Sequence, residues 1–354
     1  MRKWRIKLSR RLHHHFVSIL AISLLIIAFQ GCSSLPETLK NPPPPDIATG
    51  NDYLRRGEYA MRKGDFQSAA AQFARSYESF TLADYIKGKI RASLALSRAY
   101  HRLDTLILRD YWLDRGLTII DTFSPESINE WKLAKTEIEF QNSNFDSVLV
   151  YTDGVEIGSD LIETNSQLIS YRLMAKLQYP NPSSESVKSE YDELKSGFKK
   201  LIALKEDAEI GDALVIGFVG YVLGYTDSKL GRWIEAYSWF EKARDEDSRR
   251  ANYRGLADNL FGLGAAAQSL NKPKDAEGFY ERSSEIYYSI GLQELGARAE
   301  SKALNIRVKA VSLNLKEREI IKERLTGMLS FIKSVEIRSE IEKTLGAIST
   351  MSTN

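Results

Sequence analysis

The sequence predicts an all-α fold built as a stack of helix pairs, on three observations. First, all nine prolines of the 354 residues fall at Pro36, Pro42 to Pro45, Pro125, Pro180, Pro182 and Pro273, which leaves three long stretches without any. A sandwich or barrel needs many more turn signals than that. Second, a spacing of +7, +5, +4 and +3 occurs three times: Gly57, Gly64, Ala69, Phe73, Ser76; Gly224, Gly231, Ala236, Phe240, Ala243; Gly264, Asn271, Ala276, Tyr280, Ser283. Third, Lys316 to Ile348 carries apolar residues at helical spacing among mixed charges, as a terminal covering helix would.

Each repeated set reads as a helix, a turn at Gly64-Asp65, Gly231-Arg232 or Asn271-Lys272, and a second helix with small, aromatic and small residues on one face. Glycine and asparagine tolerate left-handed geometry in the turn, and small residues let the helices approach closely. The pattern resembles the tetratricopeptide repeat family. The matching residues are Gly64-Asp65-Phe66 with Ala69, Phe73 and Ser76; Leu223-Gly224 with Trp233, Ala236, Phe240 and Ala243; and Leu263-Gly264 with Ala276, Tyr280 and Ser283. Pro273 stands where an aromatic is usual. The resemblance implies a right-handed α-α superhelix, a tetratricopeptide-like helical solenoid, with a concave groove lined by the first helices.

The units are longer than the roughly 34 residues usual in that family. Gly224 to Gly264 is 40 residues, and Gly57 to Thr136 is 79, close to two such periods. A fourth, degraded unit runs through Trp131, Ala134, Phe145 and Val148 with its turn at Ser143-Asn144. Extrapolation gives about seven helix pairs, with no clear signature at 82–123 or 165–204. The repeats are expected over 51–312, with a break near 179–185 where Pro180 and Pro182 fall. A C-terminal capping helix and tail follow over 313–354, because an open solenoid needs a polar-faced end.

The N-terminus reads as an address. Six basic residues and no acid precede an uncharged run from Phe16 to Phe29, followed by Gln30-Gly31-Cys32. At 14 residues the run is short for a membrane span of roughly 20. Ala28-Phe29-Gln30-Gly31-Cys32 resembles the looser form of a bacterial lipoprotein signal, which implies cleavage after residue 31 and lipidation of Cys32. Phe29 and Gln30 depart from the usual leucine and small residue. By the same resemblance, Ser33 in place of aspartate favours the outer membrane facing the periplasm. Residues 32–50 hold five prolines and read as an extended tether.

Charge and composition exclude several chemistries. Without the first 31 residues, 43 basic residues face 47 acidic ones, so the body is mildly acidic and lacks the footprint of a nucleic-acid binder. Cys32 is the single cysteine, and His101 is the one histidine outside the leader. No disulfide framework, Cys/His metal set or Cys–His nucleophile pair can be assembled from that inventory, so no metal and no cofactor are expected. No catalytic motif surrounds His101, and the protein is expected not to be an enzyme. The apolar segment from Ala213 to Tyr225, with Gly220 and Gly224, is too short to span a bilayer and reads as a buried first helix.

The first helices carry stripes at i, i+4, i+8 beside their packing faces. These are Leu54, Glu58, Met61 and Arg62; Tyr221, Tyr225 and Lys229; and Asp258, Phe261, Ala265 and Gln268. By the resemblance they are candidate groove residues, with the aromatics as anchors for a peptide or partner helix or, equally, as packing between repeats. The Lys and Asn clamp by which some members grip a C-terminal carboxylate is missing from these positions. The expected function is therefore a lipid-anchored scaffold or accessory subunit of a cell-envelope machine serving secretion, pilus or outer-membrane assembly, or wall remodelling. Its partners would be envelope proteins, and the membrane would be reached through Cys32. The alternative is a periplasmic lipoprotein that holds a small molecule inside the superhelix and passes it to a transporter, which requires an enclosed pocket with convergent polar groups.

Overall fold

The computed structural model describes residues 44–158, 161–180, 185, 187–208, 213–310 and 314–349. The leader, Cys32 and most of the expected tether lie outside the described residues. The chain divides into two compact units, Met1–Ala48 and Thr49–Asn354; of the first, only residues 44–48 are described. Helices hold 85% of the described residues and no strand occurs among them, so the all-α expectation is met.

Six consecutive helix pairs form the array. They are α1 (Pro45–Lys63) with α2 (Phe66–Leu82), α3 (Ile86–Arg102) with α4 (Leu106–Phe123), and α5 (Ile128–Gln141) with α6 (Phe145–Thr152). Then follow α7 (Ile162–Lys176) with α8 (Lys188–Ala208), α9 (Ala213–Lys229) with α10 (Trp233–Arg249), and α11 (Tyr253–Ser269) with α12 (Pro273–Ser289). A seventh first helix, α13 (Gln293–Ala310), is covered by α14 (Leu315–Leu329) and α15 (Val335–Ser349). This is the tetratricopeptide-like helical-repeat solenoid that the sequence predicts, with about seven pairs. Second helices begin at Phe66, Leu106, Phe145, Lys188, Trp233 and Pro273, a period near 40 residues. The two stretches without signatures hold the pairs α3–α4 and α7–α8.

Two boundaries differ from the sequence reading. The C-terminal cap is a hairpin of two helices, because the chain turns between Leu329 and Val335 and buries Ile321, Leu325 and Met328 of α14 against Ile337, Ile341 and Ile348 of α15. The first helix begins at Pro45, so residues 45–50 are helical and not tether. Proline is well suited to a first helical position, where its missing N–H would be unpaired anyway.

The repeated residues make the joints between helices. Ala69, Phe73 and Ser76, Ala236, Phe240 and Ala243, and Ala276, Tyr280 and Ser283 are all buried. Each aromatic ring lies on a backbone where no side chain fits. A Cβ on Gly57 would stand 2.4 Å from Phe73, on Gly224 2.9 Å from Phe240, and on Gly264 2.8 Å from Tyr280. Phe240 also meets the next pair, since a Cβ on Gly262 would come within 2.7 Å of its ring. Ser76 and Ser283, at the same register, donate at 2.8 Å to the carbonyls of Gly50 and Ala257 in the first helix of their own pair.

One turn geometry recurs eight times. Gly64, Asp84, Asp104, Ser143, Gly231, Ala251, Asn271 and Gly291 all have positive φ, two residues before a new helix. In each turn, the N–H of the positive-φ residue donates to the carbonyl three back, and the next N–H to the carbonyl five back from itself. Gly64 N to Met61 O at 3.1 Å and Asp65 N to Ala60 O at 3.0 Å are an example. These are Schellman closures, which satisfy orphan carbonyls and reverse the chain in few residues. Ser143 supports the expected fourth unit, with Ala134 and Val148 buried beside it.

The α10–α11 turn carries two physical tensions. Ala251 holds φ of 52° with an L side chain, a strain of about 1 kcal/mol that glycine would not carry. Ahead of it, Asp247 is buried, with a Cβ on Gly217 or Gly255 standing within 2.6 Å of its carboxylate. It accepts from Asn252 Nδ2 at 2.7 Å and Asn259 Nδ2 at 2.8 Å. Burial outweighs these donors and, with the charges of Asp258 and Glu246, pushes the acid up to about 7.

Ala251→Gly is expected to raise stability by roughly 0.5 to 1 kcal/mol, after allowing for the freer unfolded chain, and Gly64→Ala to lower it by a similar amount. Urea midpoints at unchanged slope check both. Because the folded acid is weaker than the unfolded one, the stability contributed by Asp247 is fully present below about pH 4 and is lost as pH rises towards 7. Asp247→Asn should flatten that part of the stability profile, measured by urea denaturation across the same window.

Candidate functional site

Successive first helices place equivalent residues side by side on the inner face. Leu54, Leu94, Leu133, Tyr221 and Phe261 share one register, and Glu58, Arg98, Glu137, Tyr225 and Ala265 share the next. In the N-terminal pairs this face is closed by packing and by charge. Leu54, expected in the groove, is instead core, enclosed with Phe73, Leu96 and Ala99. A leucine is short enough for the neighbouring helices to close over it, whereas Tyr221 at the same register is not. Arg98 Nε donates to Glu137 across the α3–α5 joint. Glu58 is exposed, and Arg62 lies over the ring of Tyr59.

The C-terminal pairs leave a cleft of about 430 Å³. Tyr221, Tyr225 and Lys229 from α9 line it together with Asp258 and Phe261 from α11, so the structure joins two of the three predicted stripes. Gln268 stands outside, accepting from the Tyr280 hydroxyl at 3.4 Å. The tyrosines both pack and line the cleft. Tyr221 and Tyr225 stack with ring centroids 6.2 Å apart, and Tyr221 packs on Phe240 at 5.9 Å while also facing the cleft wall.

The polar groups of the cleft are held by their neighbours. Asp258 accepts from the Tyr287 hydroxyl and has Arg254 Nε at 3.9 Å. Enclosure raises its carboxyl above the ordinary range, and the Arg254 charge and the Tyr287 hydrogen bond oppose that rise. Burial likewise raises the phenols of Tyr287 and Tyr221, helped by the charge of Asp258, so both stay protonated donors at neutral pH. Lys229 Nζ lies 5.3 Å above the Tyr225 ring. Arg298 lies 5.3 Å over Phe261 and reaches Glu336 at 3.2 Å.

Several lining residues escaped the sequence reading, among them Arg298, Tyr287 and Glu336. Arg298 is one 40-residue period beyond Asp258, so extending the stripe by a repeat finds it. Tyr287 sits on a second helix, and Glu336 on the cap; neither belongs to a first-helix stripe. The site offers aromatic faces, a part-exposed carboxylate and two cations at close quarters, which suits capture of a chain segment. Among the described residues no group of three or more His, Cys, Asp or Glu is gathered to hold a metal ion, and no helix is long and apolar enough to cross a membrane.

Residues 221–289 match the family model described as Tetratricopeptide repeat. The matched span runs from Tyr221 in α9 through the end of α12, and so contains most of the cleft and two of the three repeated sets. No curated protein matches the chain.

Proposed function

We propose that this protein is a non-catalytic interaction scaffold that captures an extended segment of another protein in the Tyr221–Phe261 cleft. The observation that carries the reading is the joining of two successive first-helix stripes into one aromatic and charged cleft inside the matched repeats. Stacked tyrosines lose little conformational freedom on binding and bury large area, which is how anchor pockets hold a partner. The leader supports an address for this scaffold: an acyl chain on Cys32 would hold it in the bacterial envelope, at the outer membrane facing the periplasm, where it would serve an envelope machine. A second reading, capture of a small ligand for delivery to a transporter, draws on the cleft volume of about 430 Å³ and its convergent polar groups.

Full-length protein crosslinked in native membranes should retain a stoichiometric protein partner. Tyr221→Ala with Tyr225→Ala should weaken its capture by about tenfold or more, with helicity unchanged by circular dichroism. Unchanged capture removes the cleft from the reading, and a partner-free chain that carries a small molecule in native mass spectrometry favours the second. Labelling with a radioactive fatty acid should mark the wild type and leave Cys32→Ser unmarked; a label that persists in the variant rules out the anchor.

A further inference from the structure

The array comes round on itself. Lys63, at the end of α1, has its Nζ 4.6 Å from the ring of Tyr253, at the start of α11. Four cations gather along this seam. Arg62 and Lys63 both lie over Tyr59, Arg102 at the end of α3 lies 4.5 Å over Phe66, and Arg254 follows Tyr253. Among the described residues, none of Arg62, Lys63 and Arg102 has an ion-pair partner, and Arg254 has Asp258 alone, at 3.9 Å. The Arg62 Nε is buried without a hydrogen-bond partner. Burial and the like charge of Arg254 both lower the Arg102 guanidinium's hold on its proton.

Each of these cations taken alone has an ordinary explanation, since a basic side chain in a last helical turn is favoured by the helix dipole. That account does not cover Arg254, in the first turn of its helix, nor the convergence of the four from helices far apart in sequence. Aromatic faces position three of them without neutralising any. The seam also continues into the cleft, because Arg254 lies one helical turn before Asp258. A segment lying across Tyr221 and Phe261 therefore has a positively charged bed beyond it.

We propose that the seam formed by Lys63, Arg102 and Arg254, with Arg62, binds the carboxylates of an acidic stretch in the partner segment that the cleft anchors, drawing the first two repeats and the sixth together. This rests on the cleft being the capture site. It names the partner's chemistry: acidic side chains next to an aromatic or apolar anchor.

The test uses the full chain and two fluorescent peptides, one with glutamates flanking a phenylalanine and its glutamine counterpart, with inorganic phosphate as competitor. The glutamate peptide should bind about tenfold or more tightly over the other, and raised salt should erase the preference. Lys63→Glu, an exposed and structurally mild change, and Arg102→Glu should each abolish the preference without weakening the glutamine peptide. Equal affinity for the two peptides, or a preference that survives both variants, overturns the proposal. Competition by phosphate as effective as by the peptide also overturns it, in favour of a free-anion site. Partner capture that is lost in the tyrosine variants yet intact in Lys63→Glu and Arg102→Glu overturns the seam and leaves the cleft standing. Peptide preference lost in the seam variants, with capture untouched by the tyrosine changes, keeps the acidic site and removes the cleft.

Discussion

The contact on which the rest of this solenoid depends is an aromatic ring pressed onto a bare stretch of helix. Phe73 on Gly57, Phe240 on Gly224 and Tyr280 on Gly264 set the distance between the two helices of a pair, and Phe240 on Gly262 sets the distance to the next pair. Close packing makes such joints unforgiving: a methyl group at any of these glycines must displace a ring that is itself buried. Once the spacing is set, the Schellman turns reverse the chain in few residues, and equivalent residues fall into rows on the inner face. The cleft is largely a product of those rows, completed by Tyr287 from a second helix and Glu336 from the cap.

What changes along the array is how the inner face is filled. Leucine at the first register and alternating charge at the second let the N-terminal pairs close over their own face, with Arg98 bonded to Glu137. Tyrosine, phenylalanine and alanine at the same registers in α9 and α11 hold the C-terminal pairs apart enough to leave space. The same backbone joint therefore yields core at one end and a binding surface at the other, decided by side-chain length and charge at two positions per repeat.

This division explains how much was legible beforehand. The fold was readable because the +7, +5, +4, +3 spacing survives wherever the aromatic joint does. The α3–α4 pair keeps the spacing as Ser97, Asp104, Arg109, Leu113 and Gly116 but changes the identities: Leu113 takes the aromatic place, and the glycine moves to the second helix, where a Cβ on Gly116 would stand 2.8 Å from Leu94. A reading tuned to Gly and aromatic residues passes over it. The cleft was readable as far as it follows the period, through Tyr221, Tyr225, Lys229, Asp258 and Phe261. Leu54 misled because burial depends on how closely neighbouring helices approach, which its own sequence does not state. Tyr287 and Glu336 reach the cleft from a second helix and from the cap, and no single-helix pattern contains them.

Repeat arrays are ordinarily understood as lines, in which each unit feels only the two beside it and the ends fray independently. The approach of Lys63 to Tyr253 changes that arithmetic, because it makes the first repeat a neighbour of the sixth. A line has two loose ends, whereas a chain bent into a loop has a junction whose closing entropy is recovered by every contact made there. The first repeat and the sixth then meet directly at that one contact. An event at α11 can reach α1 across one contact as well as through the nine helices between, although the N-terminal pair is remote from α11 along the chain.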